Sequence, residues 1–262
     1  MSEGTPLWRG REDESCVVAV ALHGGHFLRP EVARLSAVEE SVRRRGEDPF
    51  TDGWTSIAPT RLVACRSRFE FDLNRSRAAA VYLEPDDAWG LEVWRDRPSP
   101  EVVDRSLANY DAVYDVLGGI LDRAARRYGR FVVLDLHSYN HRRSGPDAPP
   151  EDPAANPDVN LGTEALDRNR WAAVVDGFLA DLRAFPFPGR ALDIGENIRF
   201  GGGHLSRWVA QRYPGVGCVL AVEVKKFFMD EHTDVLDHDR HAAVGALLAS
   251  TVPGVETRLE VR

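Results

Sequence analysis

"FVVLDLHSY", residues 131–139, is the stretch whose reading decides the fold. Phe131 to Leu134 form an apolar run without polar alternation, the pattern of a strand covered on both faces. Such strands lie in a parallel or mixed sheet between layers of helix. The run then closes on Asp135, Leu136 and His137, an ionisable ending for a buried strand. In an open α/β sheet the carboxyl ends of the strands line the ligand crevice, so a polar ending there points to a site.

Three further runs share this character, at 16–22, 61–65 and 217–224, and "FEFDL" at 69–73 alternates as another strand would. Helical spacing recurs near 30–45, 100–128, 165–184 and 237–250, and the glycines 201 to 203 open a helix at 204–212. The clearest helix is 100–128, where Val103, Leu107, Tyr110, Tyr114, Leu117 and Leu121 return at three- and four-residue steps. Ser99 and Pro100 are start signals for it, and Gly129 is its stop. Strands alternating with long helices predict one α/β domain over 1–262, a mixed and mostly parallel sheet flanked by helices. Residues 1–14 are expected to be flexible. The proline-, aspartate- and asparagine-rich segment 142–162 follows a strand that ends in histidine, and is expected to be an active-site loop.

A net charge of −8 argues against nucleic acid or an anionic membrane as the main partner, while leaving room for a small anionic substrate in a local arginine cluster. The longest apolar runs, "CVVAVAL" and "GCVLAV", are far shorter than the roughly 20 residues of a membrane helix. The N-terminus carries no charged-then-apolar export signal. Cys16, Cys65 and Cys218 show no paired spacing and are expected to be reduced core residues of a cytoplasmic protein.

A second buried run, "VVAVALHGGH", also ends in histidine: His23, with His26 close behind. Two strand ends at one sheet edge can place His23 and His137 on one ion. Catalytic zinc takes three protein ligands and leaves one position for water. The plainer reading of each histidine alone is a hydrogen-bonded core residue. A third ligand is expected to be a carboxylate from "GEDPFTDGWTS", 46–56, where Glu47, Asp48 and Asp52 stand open as candidates. His26 is a ligand, a supporting group or a proton shuttle. His141, His232, His238 and His241 lie in polar context and are read as solvated.

Several segments together resemble the successive signature blocks of the N-formylglutamate amidohydrolase family. They are "SRFEFDLNR" (67–75), "DLHSY" (135–139), "PDVNLGT" (157–163), "NIRFGGGHLSR" (197–207) and "VEVKKFFMDE" (222–231). "LHGG" at 22–25 is similar to that family's Pro-His-x-Gly, and "TDGW" at 51–54 to its Thr-Asp-Trp. The blocks stand in family order from 22 to 231. The resemblance implies a zinc-exopeptidase-like fold, one Zn2+ per chain held by His23, Asp52 and His137, and Glu223 as general base. The chain departs from the pattern in having Leu22 in place of proline, an extra glycine between Asp52 and Trp54, and His204 where a tyrosine often stands.

These parts predict a zinc-dependent amidohydrolase that cleaves an N-acyl or peptide-like amide beside a carboxylate, with Glu223 and His204 as catalytic groups. Arg75 and Arg199 are expected to clamp the substrate carboxylate, with Arg68, Asn74 and Asn197 as further substrate contacts. The partner is thus a small amino-acid-like anion or a short peptide. The alternatives are a carboxypeptidase-like metallohydrolase and an inactive binding module of the same fold. A serine hydrolase using Ser138 is disfavoured, since no G-x-S-x-G elbow is present.

Overall fold

All nine residues of Phe131–Tyr139, here β4, are buried. The computed structural model describes residues 5–260. In it β4 lies at the centre of a seven-stranded sheet. Numbered along the chain, the other strands are β1 (Trp8–Arg11), β2 (Val17–Ala21), β3 (Thr60–Ala64), β5 (Val159–Gly162), β6 (Ile194–Glu196) and β7 (Gly217–Lys225). The order across the sheet is β1-β3-β2-β4-β7-β5-β6. Strands β3, β2, β4 and β7 are parallel, β1 joins β3 antiparallel, and β5 joins β7 antiparallel. The fold is therefore the expected single α/β domain with a mixed sheet.

Alternate residues of β4 feed two different cores. Val132, Leu134 and Leu136 pack with α5 (Ala172–Ala184) and α7 (His238–Glu260) on one face. Phe131 and Val133 pack with α4 (Pro100–Tyr128) and α6 (His204–Arg212) on the other. Helix α4 begins at Pro100 in its first turn, and Gly129 closes it at φ 74°, a conformation that favours glycine.

The differences from the sequence reading have local causes. In place of one helix over 30–45 there are two, α1 (Pro30–Leu35) and α2 (Glu40–Gly46), because Ser36 turns extended and bridges to Trp94. Residues 69–73 form turns, not a strand. Their alternation separates core aromatics from carboxylates that are themselves buried: Glu70 takes the backbone N–H and Nε of Arg29 at 2.8 and 2.6 Å. Helix α7 runs through Pro253 to Glu260, since Val252 and Val255 on either side stay packed. Residues 8–11, within the stretch expected to be flexible, are strand β1, and residues 1–4 of that stretch lie outside the described residues. The segment read as the loop 142–162 ends in strand β5. Among the described residues no helix is long and apolar enough to cross a membrane.

Candidate metal centre and active site

His137 sits in β4, and His23 stands just beyond the end of β2, its parallel neighbour. Their rings are 4.8 Å apart, and both are nearly fully buried. Asp48, in the segment after α2, places one carboxylate oxygen 2.9 Å from His137 Nδ1 and 3.4 Å from His23 Nδ1. The other ring nitrogens face further carboxylates. His23 Nε2 is 2.7 Å from Asp72, and His137 Nε2 is 2.9 Å from Asp135. The Asp135 contact is off the hydrogen-bonding direction, and both of its buried oxygens otherwise lack a partner.

This arrangement fits a metal. His23, Asp48 and His137 each offer a ligand atom, all within 4.8 Å of one another. The Asp72 carboxylate bonded at His23 Nε2 sets the tautomer and orientation of that imidazole for ligation through Nδ1. A nitrogen-nitrogen-oxygen donor set suits Zn2+. The charges point the same way. Burial alone would raise the Asp48 carboxyl, but hydrogen bonds to His137 and His23 hold it well below the usual range. Burial opposes charge on His137, yet Asp135 and Asp48 push its imidazole well above the usual value. A cation at this point competes with that proton.

Asp52 does not join the group. It lies in the short helix α3 (Thr51–Trp54), which buries Thr51 and Trp54 and turns residue 52 outward to pair with Arg9 near the surface. His26 also faces away, with Nδ1 2.6 Å from Glu47. Glu47 is itself fully buried, pairing with Arg43 and accepting a hydrogen bond from Ser67. Of the three acidic candidates the structure thus brings only Asp48 to the two imidazoles. Gly24 and Gly25 do not serve a left-handed turn, as neither has a positive φ. Gly25 is needed for space, since a Cβ there would lie 2.4 Å from the Cys65 carbonyl carbon. His241, read as solvated, stacks on Trp54 at 5.2 Å and bonds Phe50 O through Nε2.

Glu223, on β7, is the register partner of His137 on the adjacent strand. It keeps part of its surface open, yet burial of the carboxyl pushes it up to about 7. His204 opens α6, half-buried against Tyr114, and burial lowers its imidazole below the usual value. Arg75 is 30% exposed, stacks over Tyr82 at 4.9 Å and reaches Asp72 only at 3.8 Å, so its guanidinium is not consumed by an ion pair. Arg199 is exposed on the loop after β6, with its guanidinium 5.8 Å from the Phe200 ring centre.

The other expected substrate contacts are already engaged. Arg68 donates to Asp72 at 2.7 Å and to Tyr82 at 3.0 Å, so it braces the carboxylate behind His23. Asn74 caps α6, its side chain accepting from Leu205 and its carbonyl from His204. Asn197, at φ 54°, is tied to Thr163 through both side-chain atoms. Sequence reasoning missed Asn160. Fully buried in β5 opposite Glu223, it accepts from the N–H groups of Ile198 and Arg199 at 2.9 and 2.8 Å and so holds the Arg199 loop to the sheet. The available signal was an asparagine inside the buried run "VNLG". Arg143, from the proline-rich loop, was also missed, and no sequence signal marked it. Its pKa is lowered by burial and by the nearby charge of Arg199.

A family model described as N-formylglutamate amidohydrolase matches residues 15–227. Among solved structures, an N-formylglutamate amidohydrolase from Ralstonia eutropha JMP134 superposes with TM-score 0.74 at 19% identity, covering 95% of this chain and 97% of that one. A gene product from Agrobacterium tumefaciens gives TM-score 0.62 at 14% identity, covering 92% and 91%. A curated relative from Xanthobacter autotrophicus, named S-adenosylmethionine:tRNA ribosyltransferase-isomerase, is 26% identical over 180 residues. The match takes in 65% of this chain and 42% of that protein, so the chain spans less than half of that relative's length. The two structural likenesses show the fold. With a family match that runs from the loop before β2 to the residues just after β7, the chain belongs to the N-formylglutamate amidohydrolase family.

Proposed function

We propose that this chain is a zinc-dependent amidohydrolase that cleaves an N-acyl amide beside a carboxylate, with N-formylglutamate as the first substrate to test. The observation that carries the reading is the convergence of His23, Asp48 and His137 in one buried group, with Glu223 beside His137 on the next strand. A divalent ion held there supplies Lewis acidity, polarising a carbonyl and acidifying water. Glu223 then takes a proton from the attacking water and delivers it to the leaving amine nitrogen, a task suited to a carboxyl with a pKa of about 7. His204, whose lowered pKa favours the neutral imidazole, donates a hydrogen bond toward the oxygen on which charge develops. Arg75 and Arg199 hold the substrate carboxylate; a planar guanidinium fixes its direction as well as its charge.

The test is formate release from N-formylglutamate by the purified chain, before and after removal of metal by a chelator. Release that is lost on chelation and restored by about one equivalent of Zn2+ is the expected result. Undiminished release after complete metal removal would overturn the metal assignment. Absence of formate from zinc-loaded protein would remove the substrate.

A further inference from the structure

Helix α2 ends at Gly46, two residues before Asp48, and its end is capped in an unusual way. The last carbonyls of a helix have no partner within it and favour a positive charge. Here the partners come from three other parts of the site. Lys226 Nζ donates to both Arg45 O and Glu47 O at 2.8 Å. Asn140 Nδ2 donates to Arg45 O at 2.9 Å, and Arg68 Nη1 to Gly46 O at 3.3 Å. Lys226 follows Glu223 by three positions, and Asn140 follows His137 by three. Arg68 is the group that braces Asp72 behind His23. The segments that follow Glu223 and His137, and the arginine that braces the carboxylate behind His23, thus each send a donor to the end of α2.

Lys226 is the central member. Only 1% of its surface is exposed. Burial lowers its ammonium to about 8, with Asp48 and Glu231 as the nearby charges that favour the cation. Since it points at backbone carbonyls, it does not reach into the crevice. From the capped carbonyl of Glu47 the chain passes directly to Asp48, whose N–H donates to His23 O at 3.0 Å. The Asp48 carboxylate is thereby held from both sides of its own peptide.

We propose that Lys226 is a positioning residue that sets Asp48 against His23 and His137 by fixing the carbonyls of Arg45 and Glu47. The proposal rests on the reading of His23, Asp48 and His137 as the metal-holding group. Outer groups that orient ligands typically control about 10- to 100-fold of metal affinity.

The experiment titrates Zn2+ alone into chelator-treated, full-length protein and reads the dissociation constant, with circular dichroism and melting as checks on folding. Lys226→Met is expected to weaken Zn2+ about 10- to 100-fold while the spectrum is kept. Lys226→Gln, which retains two N–H donors, is expected to lose less. Val255→Ala, a cavity variant in α7 remote from the site, should melt lower yet bind Zn2+ as the parent does. Affinity within about twofold of the parent in Lys226→Met, or an equal loss in Val255→Ala, overturns the proposal. If Lys226→Met does not fold, Lys226→Gln and Asn140→Ala decide, and unchanged affinity in both overturns it as well. The underlying reading is judged separately by the parent and Asp48→Asn. A parent that binds no Zn2+, or an Asp48→Asn variant that binds it as tightly as the parent, overturns that reading and this inference together.

Discussion

At the residue scale, the choice between two aspartates four positions apart decides the proposed metal centre. Replacing Asp48 by alanine is expected to abolish tight Zn2+ binding, whereas Asp52→Ala leaves it within about twofold, because Asp52 is paired with a surface arginine. Isothermal titration of both variants checks this. Glu223→Gln is expected to lower kcat by about 10^2- to 10^4-fold, the usual span for a general base, with Zn2+ affinity little changed. A general base must be ionised to work and the Glu223 carboxyl is pushed up to about 7, so on the proposed assignment kcat/KM should fall as pH drops below neutrality; a flat profile from pH 5 to 8 counts against it. The two histidines were legible in the sequence because a buried apolar run that stops at an imidazole breaks its own pattern. Asp48 was legible only as one of three candidates. What selects it is the path of an irregular segment after α2, and side-chain direction in such a segment has no sequence period.

At the scale of elements, the end of β2 is where backbone packing and chemistry meet. Gly25 passes so close to β3 that a methyl group there would overlap the carbonyl of Cys65, while at Gly24 the nearest obstacle is the Thr51 hydroxyl at 3.2 Å. Gly25→Ala should therefore destabilise the fold by about 1–3 kcal/mol through overpacking and shift His23, with Gly24→Ala markedly milder. Urea unfolding and Zn2+ titration of the pair check both parts. The long elements were legible. Helix α4 announced its periodicity, its opening proline and its closing glycine. The short strands β1, β5 and β6 were not, because three or four residues give too few positions to establish a period. The stretch 69–73 misled for a different reason. Alternation normally separates core from water, but here the carboxylates of Glu70 and Asp72 were drawn inward by Arg29, Arg68, Tyr82 and His23.

At the scale of the whole molecule, the proposed metal site couples ligand binding to folding. Zn2+ bound only by the native chain should raise the melting temperature, by about 2.7 kcal/mol of stability at a hundredfold excess over the dissociation constant. The gain should shrink as pH is lowered, because His137, whose pKa lies above the usual histidine value, must give up its proton to the ion. Calorimetry at pH 6 and pH 8 with and without Zn2+ tests this; equal gains at both values would contradict it. The single-domain α/β plan was legible at this scale because the resemblance blocks spanned most of the chain in order. The site itself is made of residues on β4 and β7, just beyond the end of β2 and on the segment after α2, parts far from one another in the chain that meet only when the parallel strands pair. This gives the centre a kinetic meaning. Such non-local pairings form late and slowly, after loop-closure entropy has been overcome. Acquisition of tight Zn2+ binding during refolding should therefore lag the helical signal and coincide with completion of the β4–β7 pairing, so that the metal reports the last step of assembly and does not nucleate the first.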